Sequence, residues 1–304
     1  MSLDLRPLTL AELLDRSFST YKRHLWLFVG IMAVPGAFQV VAAVLLRLFN
    51  TTARRGLTPE ETLRQMVPIV IGSFIFSIIY LVAYTFALGA TAFAVSQLYL
   101  GRETTVGLAY RAVRPNSGRL LALMLWGTLR LVGTWFGLII LTAILAGVLS
   151  VLSPILSGIV MVLAFVGSAL LVGFMAVRYG VAVPAVVLES IPGGAGLSRS
   201  VELTQGNLGR VFLLMLCAMI IAYATAAIFQ GPFLMASFLA GPETPAALGL
   251  ALVGALLGAV GGMFSAPIMI IGLAMMYYDL RIRKEALDLH MLLENLDAPR
   301  ADRP

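Results

Sequence analysis

Arg130 is the residue whose position most suggests a chemical role, because it is a lone charge within a long apolar run. It lies 11 residues after Arg119, about 16 Å along a continuous helix. An ionisable group that deep in an apolar span is a candidate functional residue. Alternatively, the span starts near Leu131, and Arg130 reaches the lipid headgroups between Trp126 and Trp135. The sequence leaves both interpretations open.

Carboxylates that could pair with Arg130 or relay protons are absent from the apolar runs. All fifteen Asp and Glu residues fall in tails, loops or the borders of these runs. This argues against a proton-driven carrier, because such carriers use intramembrane carboxylates. A buried Arg130 would then need a backbone carbonyl, a lipid phosphate or a polar side chain as its counter-group. The polar candidates are Gln39, Tyr80, Tyr84, Tyr223 and Gln230.

Signatures of catalysis and of metal or cofactor binding are scarce. The two histidines, His24 and His290, lie in amphipathic segments, and the single Cys217 lies in an apolar one. The glycine-rich stretch 192–196 lacks the lysine of a phosphate-binding loop, and we interpret it as a flexible connection. We therefore predict no catalytic residue, no metal site, no cofactor and no enzymatic activity.

The composition sets the class of protein. Of 304 residues, 60% are hydrophobic and 12% charged, and the mean hydropathy is +0.96. Soluble domains are about 45–50% apolar and about 25% charged. The net charge of +6 comes largely from basic residues in short loops beside apolar runs, which favours a role in membrane orientation over nucleic-acid binding. The sequence predicts an all-α polytopic membrane helix bundle.

Six spans are predicted within a single integral membrane domain, 1–304. Their approximate ranges are 26–46, 67–100, two helices within 120–177 joined near Pro154, 211–239 and 248–278. Pro35 should kink the first span, with a neighbouring group binding the carbonyl that the proline frees. An amphipathic surface helix over 8–25 should begin at the capping box Thr9 to Glu12. A second amphipathic helix, 279–297, should follow the bundle at 26–278, with Tyr277 and Tyr278 as interfacial anchors.

Basic residues beside the spans set the predicted orientation and the predicted lipid contacts. With both termini in the cytoplasm, sixteen Lys and Arg residues lie on that side and four lie outside. We expect membrane lipids, especially anionic ones, to bind basic residues at the interface. The candidates are Arg16, Lys22, Arg23, Arg199, Arg281, Arg283 and Lys284.

A threefold repeat of a surface helix followed by a helical hairpin is also predicted. Short Leu and Arg patterns around Arg16, Arg111 and Arg199 precede the first, third and fifth spans, at spacings of 95 and 88 residues. Chance recurrence of such patterns at membrane interfaces is the alternative.

Glycines at four-residue spacing should let helices approach closely. They are Gly133 and Gly137 in the third span, and Gly254, Gly258 and Gly262 in the sixth. They could pack within the chain or form a self-association face.

Three stretches, 10–17, 183–189 with 197–206, and 277–288, resemble the membrane domain found beside glycerophosphoryl diester phosphodiesterases and in related stand-alone bacterial membrane proteins of unknown function. The resemblance implies a helical module of the bacterial cytoplasmic membrane. It implies no phosphodiesterase activity, because the chain lacks the His-Arg-Gly signature of that catalytic barrel.

Two hypotheses follow for the function. The first is a non-catalytic module that organises lipids or an envelope protein partner and binds no nucleic acid. The second is a permease for a small or amphipathic anion, suggested by Arg130 and the repeated hairpins. Transport that survives Arg130→Leu would remove the main support for the permease.

Overall fold

The fold is built entirely from helices over the residues that a computed structural model describes, which are 7–52, 59–241 and 244–285. The structure is 90% helical, and no strand occurs in these ranges. The helices are α1 (Leu10–Arg23), α2 (Leu25–Thr52), α3 (Pro59–Tyr99), α4 (Val106–Val113), α5 (Ser117–Ser150), α6 (Pro154–Arg178), α7 (Ala182–Glu189), α8 (Gly193–Thr204), α9 (Leu208–Phe229), α10 (Gly231–Leu239) and α11 (Pro245–Glu285).

Six of these helical segments are long and apolar enough to cross a membrane, which confirms the predicted polytopic helix bundle. The third and fourth spans turn at residues 151–153, immediately before Pro154, close to the predicted position. The predicted fifth span, 211–239, is wrong as one helix, because it breaks at Gln230 into α9 and α10. Pro232 lies at the start of α10 and has no backbone N–H to continue the α9 ladder.

The sixth span is part of one unbroken helix, α11, which continues past Tyr278 from Pro245 to Glu285. Its 41 residues correspond to about 60 Å, twice the thickness of a hydrocarbon core. The remainder of the predicted amphipathic helix, 286–297, lies outside the described residues.

The element order agrees with the predicted repeat over the described residues. Three short helices, α1, α4 and α8, each come before two long apolar stretches, formed by α2 with α3, α5 with α6, and α9 with α11. The first short helix has the predicted capping box, because the backbone N–H of Thr9 donates to Glu12 Oε2 at 2.7 Å and Thr9 Oγ1 accepts from the Glu12 N–H at 3.2 Å.

The helices belong to two compact units. Unit 1 comprises residues 8–115 and 213–275, and unit 2 comprises 116–212 and 276–285 among the described residues. The buried residues of unit 1 include Phe28 and Ile31 of α2 and small residues of α3, such as Ala87 and Ala90. Small residues let apolar helices approach closely in a membrane protein, where packing rather than water exclusion holds helices together.

Within unit 1, Tyr110 of α4 satisfies a carbonyl that Pro35 leaves without its helical partner. Pro35 has no backbone N–H, so the carbonyl of Ile31, four residues earlier, loses its usual donor. The Tyr110 hydroxyl donates to that carbonyl at 2.8 Å, and Ile31 is fully buried. This confirms that a neighbour compensates the proline in the first span.

Tyr110→Phe should therefore lower the free energy of unfolding by about 1 kcal/mol, the usual contribution of one such hydrogen bond. In a Pro35→Ala background the restored N–H can serve Ile31, so the same substitution should cost less than half as much. Reversible unfolding of the four proteins in mixed detergent micelles measures this coupling.

Tyr21→Phe is the control, because Tyr21 also donates to a span carbonyl, that of Phe264, at 2.7 Å. Four residues after Phe264 the chain has Ile268, which keeps its N–H. The cost of Tyr21→Phe should not depend on Pro35. An equal cost of Tyr110→Phe with and without Pro35 would contradict the proposed link.

Candidate functional site

Unit 2 contains the densest group of charged side chains in the described structure, where the ends of α7 and α11 meet α8 and the start of α9. We call it the charge cluster. Its members are Glu189, Arg199, Glu202, Arg210, Tyr277, Asp279, Arg281, Arg283, Lys284 and Glu285.

Arg199 of α8 lies at the centre of the charge cluster. Its guanidinium contacts the carboxylates of Glu189 at 3.1 Å and Glu202 at 3.4 Å, and it also pairs with Glu285. The Arg199 side chain is only 20% exposed. A planar guanidinium has five donors in a fixed fork, so one arginine can serve several carboxylates at once.

The charge of Arg199 is permanent. Burial alone would lower the pKa of Arg199, but its hydrogen bond with Glu285 and the charge of Glu189 outweigh burial and raise that pKa. The guanidinium therefore stays cationic throughout the physiological pH range, and it balances the carboxylates around it.

Tyr277 connects this arginine group to α11. Its hydroxyl donates to Glu189 Oε1 at 2.7 Å and accepts from Arg281 Nη1 at 3.3 Å. Arg281 also binds Glu285 at 2.8 Å, one helical turn further along α11. The end of α11 is thus attached to the end of α7 by a continuous network.

Asp279 is the centre of a second ion-pair group in the charge cluster. Its side chain is fully buried, and it binds Arg210 at 3.0 Å and Arg283 at 2.9 Å. A buried carboxylate is stable in its ionised form only when such partners replace water. This part of α11 therefore packs against unit 2 through Asp279, whereas Arg283 and Lys284 are exposed.

The predicted role of Tyr277 and Tyr278 as interfacial anchors is wrong, because both side chains are buried. Tyr277 is 0% exposed and Tyr278 is 9% exposed, so neither ring faces lipid. Sequence position identified the end of a span, but not that the charge cluster would cover it.

The glycine-rich stretch beside the charge cluster is a close contact rather than the predicted flexible connection. An added Cβ at Gly193 would overlap the backbone of Arg119 and Leu123 in α5, and one at Gly196 would overlap the Val186 side chain in α7. These glycines let α8 lie directly against both helices.

Arg130 lies on the exposed side of α5, and no hydrogen bond or ion pair joins it to another described residue. Twenty residues separate it from Ser150 at the hairpin turn, which is about 30 Å of helix. This is one hydrocarbon thickness, so Arg130 lies at an interface when the turn lies at the other one. Trp126 and Trp135 are exposed on either side of it, as expected at headgroup level.

The predicted lipid-binding residues fall into two sets. Lys22 and Arg23 are exposed in the last turn of α1, and Arg16 is partly exposed. Arg199, Arg281 and Arg283 bind carboxylates of the charge cluster, and Lys284 donates to the Glu202 carbonyl at 2.5 Å. Ion pairing within the chain thus competes with lipid for the second set.

The predicted packing glycines also differ among themselves. An added Cβ would lie 2.9 Å from Phe233 at Gly254 and 2.9 Å from Gln230 at Gly258, whereas at Gly262 it would meet nothing within 4 Å. Gly133 and Gly137 likewise have no such neighbour within the described structure. These three glycines remain candidates for a self-association face.

A separate open cleft of about 380 Å³ lies in unit 1, where α3 ends and α4 begins. Phe93 and Leu108 supply apolar surface. The polar lining consists of Gln97, Glu103, Thr104 and Arg111. The sequence gives no sign of this cleft, because its lining residues form no contiguous motif. They come from two helices and the loop between them.

No known protein family matches the chain, and neither a curated protein nor a solved structure matches it.

Proposed function

We propose that this multi-pass membrane protein is a non-catalytic module that holds anionic lipids at the membrane face carrying α1 and α4. The observation that carries the proposal is the difference between two sets of basic residues. Lys22, Arg23, Arg111 and Arg114 are exposed in unit 1, whereas Arg199 and the arginines around it bind carboxylates in unit 2.

The two helices are suited to this role because each has one buried face and one exposed basic end. Leu13 and Tyr21 bury one side of α1, and Ala109 and Val113 bury one side of α4. The basic ends lie next to the beginning of span α2 and the end of span α3, which is where headgroups would be found. Each cation near an anionic membrane surface contributes about 1 kcal/mol.

The excess of Lys and Arg supports a cytoplasmic location for this face and for both termini. The bacterial inner membrane is proposed from the resemblance noted in the sequence, which remains a prediction. An envelope partner is also still a prediction. The exposed position of Arg130 on α5 gives no support to the permease, so no second function is proposed.

Lipid retention measured by native mass spectrometry tests the proposal. The wild-type protein should retain phosphatidylglycerol in preference to phosphatidylcholine. The combined variant Lys22→Gln, Arg23→Gln and Arg114→Gln should retain phosphatidylglycerol roughly a hundredfold less, because three attractive charges of about 1 kcal/mol each are lost. The preference should also weaken at high salt, which screens exposed charges.

The matched control is Arg54→Gln, Arg55→Gln and Arg64→Gln, which removes the same charge from the loop predicted on the opposite side. This control should change phosphatidylglycerol retention much less. Equal losses in the two variants, or no preference for phosphatidylglycerol in the wild type, would refute the proposal.

A further inference from the structure

The cleft in unit 1 combines opposite charges that do not neutralise each other. Glu103 and Arg111 both line it and both are exposed, yet no ion pair within 4.0 Å joins them in the described structure. Within the charge cluster of unit 2, by contrast, exposed and half-buried charges are paired. A cleft lined by an acidic and a basic side chain that are not paired with each other is complementary to a ligand that carries both charges.

The remaining polar lining of the cleft adds hydrogen-bonding groups. Gln97 offers an amide, and the Thr104 hydroxyl is buried with no hydrogen-bond partner among the described residues. A buried hydroxyl without a partner is unfavourable, so an acceptor supplied by a ligand would be favourable. Phosphate oxygens are acceptors of this kind, and Arg111 supplies a donor and a positive charge for them.

The apolar lining and the location indicate a lipid source for such a ligand. Phe93 and Leu108 extend the cleft with apolar surface, and the candidate spans Met66–Tyr99 and Val106–Ser150 end and begin beside it. The headgroup of a membrane lipid would therefore be at the level of the polar residues. The glycerol and acyl chains of the same lipid would lie against the apolar residues. The volume of about 380 Å³ is within the roughly 300–1,000 Å³ typical of small-molecule sites.

We propose that this cleft binds the headgroup of an aminophospholipid, with the phosphate against Arg111, Gln97 and Thr104 and the primary ammonium against Glu103. The inference rests on the proposed lipid association and adds a selectivity to it. A primary ammonium has three N–H donors for the carboxylate, whereas the trimethylated ammonium of phosphatidylcholine has none. Phosphatidylethanolamine should therefore be preferred to phosphatidylcholine.

Competition between these two lipids, added to the purified full-length protein and followed by native mass spectrometry, tests the site. The wild type should retain phosphatidylethanolamine at least fivefold more than phosphatidylcholine. Glu103→Gln should bring that ratio to within twofold of one, and Arg111→Gln should lower retention of both lipids. The matched controls are Asp15→Asn and Arg102→Gln, which change the same charges in unit 1 at residues that do not line the cleft.

Three outcomes would overturn the inference. The first is a wild-type ratio near one, and the second is a ratio that Glu103→Gln leaves unchanged while its unfolding midpoint equals that of the wild type. The third is displacement of the lipid by equimolar soluble glycerophosphoethanolamine, which would identify a soluble phosphodiester as the ligand. Phosphatidylglycerol retention, measured in the same samples, reports separately on the proposed function, because Glu103→Gln should not lower it.

Discussion

Gly193→Ala is expected to lower the free energy of unfolding by roughly 3 kcal/mol, the upper part of the range for overpacked sites. The added methyl group would overlap backbone atoms of Arg119 and Leu123 and would lie 2.8 Å from Ala122 C. Backbone atoms in the first turns of α5 cannot rotate away as a side chain can. The start of α8 must therefore move off α5, which also disturbs the position of Arg199.

Gly194→Ala is the matched control for this substitution. Its added Cβ would lie 3.9 Å from the Trp126 side chain, an ordinary van der Waals distance. Because alanine also favours helix over glycine, Gly194→Ala should be neutral or stabilise the protein by up to about 1 kcal/mol. Reversible unfolding in micelles compares the two variants, and equal stabilities would show that α8 does not rest on α5 through Gly193.

Arg199→Gln should lower the free energy of unfolding by roughly 2–3 kcal/mol. Breaking a fully buried ion pair costs about 3–5 kcal/mol. The expected cost is lower for Arg199, because its side chain is 20% exposed and solvent screens its ion pairs. The substitution leaves Glu189 and Glu285, which are 17% and 26% exposed, with only Arg281 near both. Repulsion between the two carboxylates then adds to the loss.

Two further variants separate this effect from a general loss of charge. Arg199→Lys should recover only part of the stability, because one ammonium cannot reproduce a guanidinium shared by several carboxylates. Arg23→Gln removes an exposed arginine and should change the free energy of unfolding by less than about 0.5 kcal/mol.

A double-mutant cycle with Glu285→Gln identifies the partner of Arg199. The combined loss should be smaller than the sum of the single losses by about 1 kcal/mol or more, since each substitution removes the same interaction. Additive losses would show that Arg199 and Glu285 do not stabilise each other.

Pro35 and Pro192–Gly196 show how far sequence reasoning went at particular residues. The proline in the first span predicted an unsatisfied carbonyl, because its missing N–H is a property of the residue itself. The identity of the compensating donor, Tyr110, was not predictable, since it lies 79 positions from Ile31. The glycine-rich stretch has several local explanations, and only the position of α5 identifies the close contact.

The basic residues show still more clearly that a local sequence pattern does not identify a partner that is distant in the chain. An arginine beside an apolar run can bind a lipid phosphate or a carboxylate of its own chain, and its sequence neighbourhood is the same in both cases. Arg23 and Arg199 were therefore assigned the same role. In the structure Arg23 is exposed, and Arg199 lies among Glu189, Glu202 and Glu285 from three different helices.

The sequence by itself determined the class of the protein, the number of spans, the capping box and the turn of the α5–α6 hairpin. These features depend on local hydrophobicity, helix-capping residues and proline, which act over a few residues. The tertiary structure decided which charges pair, that Tyr277 and Asp279 are buried, and where the cleft lies. These features depend on contacts between residues far apart in the chain, which composition and spacing do not encode.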